Sequence, residues 1–252
     1  MKYMVELSGV SKRFVIPSSK RRPALLRRII ASIRKQAAYQ TLWALNKITL
    51  QIHKGETIGV IGLNGSGKST LMRIVAGIYK PTMGQVRLMG EAAPVVGLWA
   101  GFMPELSVRD NVFLFGAILG LERRALVKLF PAIIDFAELG EFINAQVRTL
   151  SSGMKMRLAF STIRFAPSDI LLFDEAVAVG DQAFKEKCLR TMAGLKKAGK
   201  TILLSSHNAV LIEELCDRTV LLHKGAAVDF GETAGVVRGY RSMIKSRKPS
   251  MS

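Results

Sequence analysis

Cysteine is scarce in this 252-residue chain. Cys188 and Cys216 are the two it has, and neither sits in a CxxC or His-rich spacing. That excludes a disulfide framework and a thiolate metal site, and leaves two free buried thiols as the expectation. Long apolar runs are also missing. None reaches the roughly 18 residues that a membrane-spanning helix needs. The longest surrounds Ala92 to Met103 and is broken by Pro94, Gly97 and Gly101. Met1 to Val10 lacks the charged start and apolar core of a signal peptide, so a cytosolic chain is expected. Acidic residues are few: 19 Asp and Glu stand against 37 Lys and Arg, a net charge of +18. Such a field favours an anionic partner, whether nucleic acid, an anionic membrane face or a phosphate-rich ligand. No internal repeat is visible, and no Pro/Gly/Ser linker long enough to divide the chain. With 49% hydrophobic and 22% charged residues, one packed α/β domain is the expectation.

The pattern along the chain supports that class. Val5 to Val15 reads as a strand, followed by a basic insert over about residues 17–40. Ala44 to Ile52 alternates apolar and polar residues, as a half-buried strand does. Lys54-Gly55-Glu56 is a turn, and Thr57 to Ile61 a short apolar strand. A helix is predicted from near Gly67 to Gly77. Residues from about 105 to 165 carry Leu, Ala, Phe and Arg at helical spacing and read as a helical subdomain. Ile170 to Phe173 and Thr201 to Leu204 are short, continuously apolar strands of the parallel kind, with a helix over Phe184 to Leu195 between them. Val220 to His223 and Ala227 to Phe230 flank Lys224-Gly225 as a hairpin. Residues 232–252 read as a C-terminal tail.

Gly62-Leu63-Asn64-Gly65-Ser66-Gly67-Lys68-Ser69 fits the G-x-x-x-x-G-K-[ST] pattern in a strand-to-helix context. Glycines let backbone N–H groups wrap phosphate oxygens, and the positive end of the following helix points at them. Gly62, Asn64, Gly65, Ser66, Gly67, Lys68, Ser69 and Thr70 are therefore candidate ATP-binding residues. Lys68 reaches the β and γ phosphates, and the Ser69 hydroxyl can ligate Mg2+. Ile170-Leu171-Leu172-Phe173-Asp174-Glu175 is an apolar strand ending in two carboxylates. Asp174 is the candidate second Mg2+ residue, and Glu175 the candidate general base for the attacking water.

Leu150-Ser151-Ser152-Gly153-Met154 opens a helical run and resembles the signature motif of ATP-binding-cassette (ABC) ATPases. With the P-loop, Asp174-Glu175 and His207 in this order, the resemblance extends from about Val5 to Phe230. It implies an α/β P-loop fold of the ABC type: a RecA-like core with an antiparallel β subdomain and a helical subdomain. It also implies ATP and Mg2+ as ligands and a sandwich dimer of two copies. In such a dimer Ser151, Ser152 and Gly153 contact the γ-phosphate bound to the opposite subunit. His207 contacts the γ-phosphate in its own subunit, and Asp181, after Gly180, links the two sites. Phe14 stands where the family carries its adenine-stacking ring, with Tyr39 and Trp43 as rivals. His53 and His223 match no motif and read as structural.

Gly101 to Asn111, Asp174 to Asp181 and Gly116 to Leu121 resemble the polysaccharide-exporter branch, the last segment its O-antigen kind. That branch implies integral membrane permease subunits as partners and a place on the cytoplasmic face of the membrane. Two departures stand out. Pro94 to Phe102 holds no Gln or Glu, where most ABC subunits carry a Gln. Ser152 and Met154 replace the commoner Gly and Gln. The alternative is a soluble ABC ATPase acting on nucleic acid. It suits the charge, but such proteins usually carry two cassettes or a long coiled-coil insertion, so no nucleic acid is expected as partner.

The insert is the remaining feature. No acidic residue lies between Glu6 and Glu56. At about 100° per residue, Leu25, Leu26, Ile29, Ile30 and Ile33 share one side of a helix starting near Pro23, and Arg27, Arg28, Arg34 and Lys35 the other. A basic amphipathic helix of this kind reads as an element for an anionic membrane surface or a lipid-linked glycan. The alternative is a helix packed on the domain with solvated charges.

Overall fold

The computed structural model describes residues 3–17, 39–93, 101–174 and 182–246. Residues 18–38 of the basic insert, with Glu175 and Asp181, lie outside the described residues.

Three strands form an antiparallel sheet in the order β2-β1-β4: β1 (Tyr3–Pro17), β2 (Tyr39–His53) and β4 (Met83–Leu88). Five more form the central sheet in the order β5-β6-β3-β7-β8: β3 (Thr57–Ile61), β5 (Ile170–Asp174), β6 (Thr201–Ser206), β7 (Arg218–His223) and β8 (Ala226–Glu232). β5, β6, β3 and β7 run parallel, and β8 is antiparallel to β7. Every residue of β3 and β6 is buried, because both faces of the sheet are covered. That is why these strands read as unbroken apolar runs rather than alternating ones.

The alternation is present all the same, between two cores. Ile58, Val60, Ile170, Leu172 and Leu203 pack with the antiparallel sheet and with α1 (Lys68–Val75). Ile61, Leu171, Phe173, Ile202 and Leu204 face the other core. That side holds α2 (Val108–Ile118), α3 (Arg123–Ala137), α4 (Ser152–Ile163), α5 (Gln182–Lys197), α6 (Ala209–Leu215) and α7 (Thr233–Lys245). Helices α2, α3 and α4 form the predicted helical layer. Glu138, just past α3, pairs with Arg157 on α4 and with Lys187 on α5 at 3.1 Å. The hydrogen bond from Lys187 holds the Glu138 carboxyl below its usual range. The pair is half exposed, so it contributes orientation more than stability.

Three elements were not legible in the sequence: β4, α6 and α7. The segment read as a C-terminal tail is corrected by α7, whose Val236, Val237 and Tyr240 are buried. Arg241 on α7 donates two hydrogen bonds to Glu213 on α6, at 2.9 and 2.7 Å. Cys188 and Cys216 are free and buried, and desolvation pushes both thiols up to about 12. A thiol so disfavoured as thiolate is inert.

Candidate active site

The strand order places the site. β3 is central, β6 lies beside it, and β5 lies beside β6. Ile61 is in register with Ser206, and Ser205 with Asp174. The loop after β3, the His207 turn after β6 and Asp174 on β5 therefore share the carboxyl edge of one sheet. Ligands of open α/β sheets bind at such edges.

At the two ends of the loop from Gly62 to Gly67, contacts leave no room for a side chain. A Cβ on Gly62 would lie 2.3 Å from the Leu222 carbonyl, and one on Gly67 2.6 Å from the Ala44 carbonyl. Gly65 and Gly67 have φ of 77° and 110°, the left-handed region that glycine enters without strain. Ser66 donates its backbone N–H to the Leu63 carbonyl at 3.1 Å. Gly67 caps α1 with no side-chain hydrogen bond, and the first turn of α1 carries no acidic residue. The opening amides of α1 are thus not held by a side-chain cap, which suits an anion. Lys68 is buried, and its Nζ donates to the Gly62 carbonyl at 2.9 Å and the Leu63 carbonyl at 3.4 Å. It lies along the loop that its charge would serve. Asn64 and Gly65 are exposed, Ser66 is buried, and Ser69 and Thr70 are half-buried.

Asp174 ends β5, and its Oδ1 accepts a hydrogen bond from the Ser205 hydroxyl. Sequence reasoning missed Ser205, although the Leu204-Ser205-Ser206-His207 run was the available signal. His207 is exposed. The next residue, Asn208, caps α6 by accepting from Val210 N and Leu211 N at 3.0 and 3.4 Å. That cap fixes where α6 begins and so where the His207 turn ends. The oxygen set of Ser69 and Asp174 fits Mg2+, a hard cation that takes few protein ligands and completes its shell with water and phosphate.

Ser151, Ser152 and Gly153 stand on another element, at the start of α4 in the helical layer. Ser151 is the N-cap, accepting from Met154 N at 3.2 Å, and Ser151 and Ser152 are exposed. Phe14 is half-buried, its ring edge-on to Tyr79 at 5.5 Å with Lys12 Nζ 5.3 Å above it. Trp43 is exposed and carries the Arg13 guanidinium at 5.9 Å. Tyr39 is exposed. His53 packs on Tyr3, ring centroids 4.9 Å apart.

Fold and site together define a P-loop nucleotide-binding domain. The family model described as ABC transporter matches residues 45–178, more than half the chain. The chain belongs to the ABC transporter family, and as such it is a nucleotide-binding ATPase coupled to transport. It is 40% identical over 241 residues to the ABC transporter protein AbcA of Aeromonas salmonicida, covering 96% of this chain and 77% of that protein. It is 41% identical over 201 residues to the O-antigen export system ATP-binding protein RfbB of Klebsiella pneumoniae, covering 80% and 82%. The teichoic acids export ATP-binding protein TagH of Bacillus cereus is longer. There the identity is 37% over 248 residues, covering 97% of this chain and 44% of that protein. Among solved structures, the dimeric post-hydrolysis state of the ATP-binding cassette MJ0796 bound to ADP and Pi has a TM-score of 0.72 at 22% identity. It covers 91% of this chain and 99% of that one, a likeness of fold. No described helix is long and apolar enough to cross a membrane.

Proposed function

We propose that the chain is the ATP-hydrolysing subunit of an exporter that moves a lipid-linked polysaccharide of the O-antigen, capsule or teichoic acid kind. It works at the cytoplasmic face of the membrane, with separate integral membrane permease subunits. One observation carries this reading: a complete P-loop and Asp174 share one sheet edge, in a chain 41% identical to an O-antigen export protein.

In this reading the loop amides and Lys68 hold the phosphates of ATP, and Ser69 and Asp174 hold Mg2+. The metal neutralises phosphate charge. Glu175 polarises the attacking water, and His207 contacts the γ-phosphate of its own subunit. Phe14 stacks on adenine. Ser151, Ser152 and Gly153, at the start of α4 with both serines exposed, serve ATP on a second copy, and Asp181 links the two sites. A Ser152→Trp substitution should therefore lose turnover while the monomer keeps its ATP affinity, measured by titration with a fluorescent ATP analogue. If affinity falls in the monomer, the assignment across the dimer is wrong.

The basic insert is assigned to the anionic membrane surface or the pyrophosphate of the glycan carrier. Each Lys or Arg near such a surface contributes on the order of 1 kcal/mol, falling off within a Debye length. Replacing Arg27, Arg28, Arg34 and Lys35 by Gln should weaken binding to phosphatidylglycerol liposomes by about tenfold or more. Surface polysaccharide should fall in cells carrying that variant, while ATPase activity of the isolated subunit stays near wild type. Unchanged export and liposome binding would leave the insert a packing element. Intact surface polysaccharide in cells lacking the chain would remove the export reading.

A further inference from the structure

Asn111 is wholly buried on α2, and both ends of its side-chain amide are hydrogen-bonded to one loop. Its Oδ1 accepts from Met103 N at 2.7 Å. Its Nδ2 lies 3.0, 3.1 and 2.9 Å from the carbonyls of Met103, Leu106 and Ser107 and donates its two N–H groups among them, one shared between two acceptors. Both ends of the loop 103–107 are held by this one amide. The sequence marked Asn111 only within a family-like segment and assigned it no role.

The loop is bonded in turn to the chain that leads into α4. Arg148 N donates to the Pro104 carbonyl at 2.9 Å and Val147 N to the Leu106 carbonyl at 3.0 Å. In the opposite direction, Val108 N donates to Ala145 and Arg109 N to Ile143, at 2.9 and 3.0 Å. Leu150, buried, donates to the Val147 carbonyl at 3.1 Å. The next residue is Ser151, the N-cap of α4. The route from Asn111 to Ser151 therefore runs from the side-chain amide to the Leu106 carbonyl and on through the backbone hydrogen bonds of Val147 and Leu150. The loop itself is on the surface, with Met103 and Leu106 exposed. The three carbonyls each also accept a backbone N–H, from Leu106, Val147 and Asn111 itself, so without the Asn111 side chain the Met103 amide loses its partner and the loop loses its side-chain tie to α2.

We propose that Asn111 is a positioning residue for Ser151. By fastening the loop 103–107 to α2 it holds residues 143–150, and through them the start of α4, at the place and angle required to meet ATP on a second subunit. This rests on the reading that Ser151 serves the partner's site. Asn111 itself touches no nucleotide. Its effect is on the geometry of the closed dimer, where small displacements are costly: a misplacement of 1 Å can cost on the order of a hundredfold in rate.

The test uses the full chain, with ATP affinity of the monomer, turnover of the dimer and amide hydrogen exchange read side by side. Asn111→Ser should cut turnover about tenfold and raise exchange at Val147 and Arg148 about tenfold, with monomer affinity within about twofold of wild type. Because a buried site can fail to fold, Ser107→Ala is the second variant. It removes the α2 cap that accepts from Asp110 N at 3.1 Å and loosens the same loop from its rim. It should give a drop in turnover of about twofold, with faster exchange at the same two amides. Full turnover despite faster exchange there overturns the proposal, and so does lost turnover without faster exchange. Turnover that falls only because monomer affinity falls overturns it too. A Ser151→Ala variant with full turnover would remove the underlying dimer reading instead, which separates the two failures.

Discussion

Lys68→Ala is expected to abolish useful ATP binding. The Nζ lies along the P-loop, 2.9 Å from the Gly62 carbonyl, and it is the loop's own fixed positive charge. A hydrogen bond to a charged group contributes about 1.5–3 kcal/mol, and a phosphate held by one ammonium loses both that bond and its Coulomb partner. A loss of about 3 kcal/mol is roughly a hundredfold in affinity. The substitution also removes the Lys68 bonds to two loop carbonyls, one of them buried, so circular dichroism of the variant should accompany the binding measurement. Calorimetric titration of the purified variant with Mg-ATP is the direct measurement. An unchanged affinity would sink the P-loop assignment, whatever happened to activity.

Glu175→Gln is expected to keep ATP binding and lose turnover by about a hundredfold to ten-thousandfold, because an amide cannot take a proton from water. Glu175 follows Asp174, the last residue of β5, so the substitution alters the residue beside the proposed Mg2+ residue without removing it. ATP that is bound but not cleaved should hold two subunits together. Light scattering should then show a dimer that forms on adding ATP and persists, where the wild type returns to monomer as ATP is consumed. A variant that stays monomeric and hydrolyses ATP at the normal rate would contradict both the role and the sandwich.

These two expectations rest on residues that were legible before any fold was known, and the reason is local. A phosphate-binding loop needs glycine where φ is positive, as at Gly65 and Gly67, or where a Cβ would strike a neighbour, as at Gly62 and Gly67. The buried strands β3, β5 and β6 were legible because a sheet covered on both faces selects unbroken apolar runs. The hairpin of β7 and β8 was legible from Lys224-Gly225, where both residues have positive φ. β4 was not. Its Met83, Gly84, Gln85 and Arg87 carry no clear alternation, and most of it is exposed. Its pairing with β1 comes from backbone hydrogen bonds, which any sequence can make. α6 was too short at seven residues to show a helical period. α7 followed a hairpin without a side-chain N-cap bond to announce it, so its amphipathic face passed for a tail.

By itself the sequence named the candidate chemistry: a loop suited to phosphate, a carboxylate-ended strand and a histidine after a buried strand. Each is a short motif whose residue types follow from what a phosphate or a proton transfer requires. The tertiary structure decided which of them meet. β6 lies between β3 and β5 although β5 and β6 come over a hundred residues later in the chain. That order puts Ser205 against Asp174 and His207 beside the P-loop edge. The two-sided partition of the core and the bond from Glu138 to two helices were likewise decided in space. So was the hold of Asn111 on the loop before α2. Its side chain reads in sequence as one polar residue on an apolar helix. Only the chain folded around it supplies the three carbonyls and the amide that make burying it favourable.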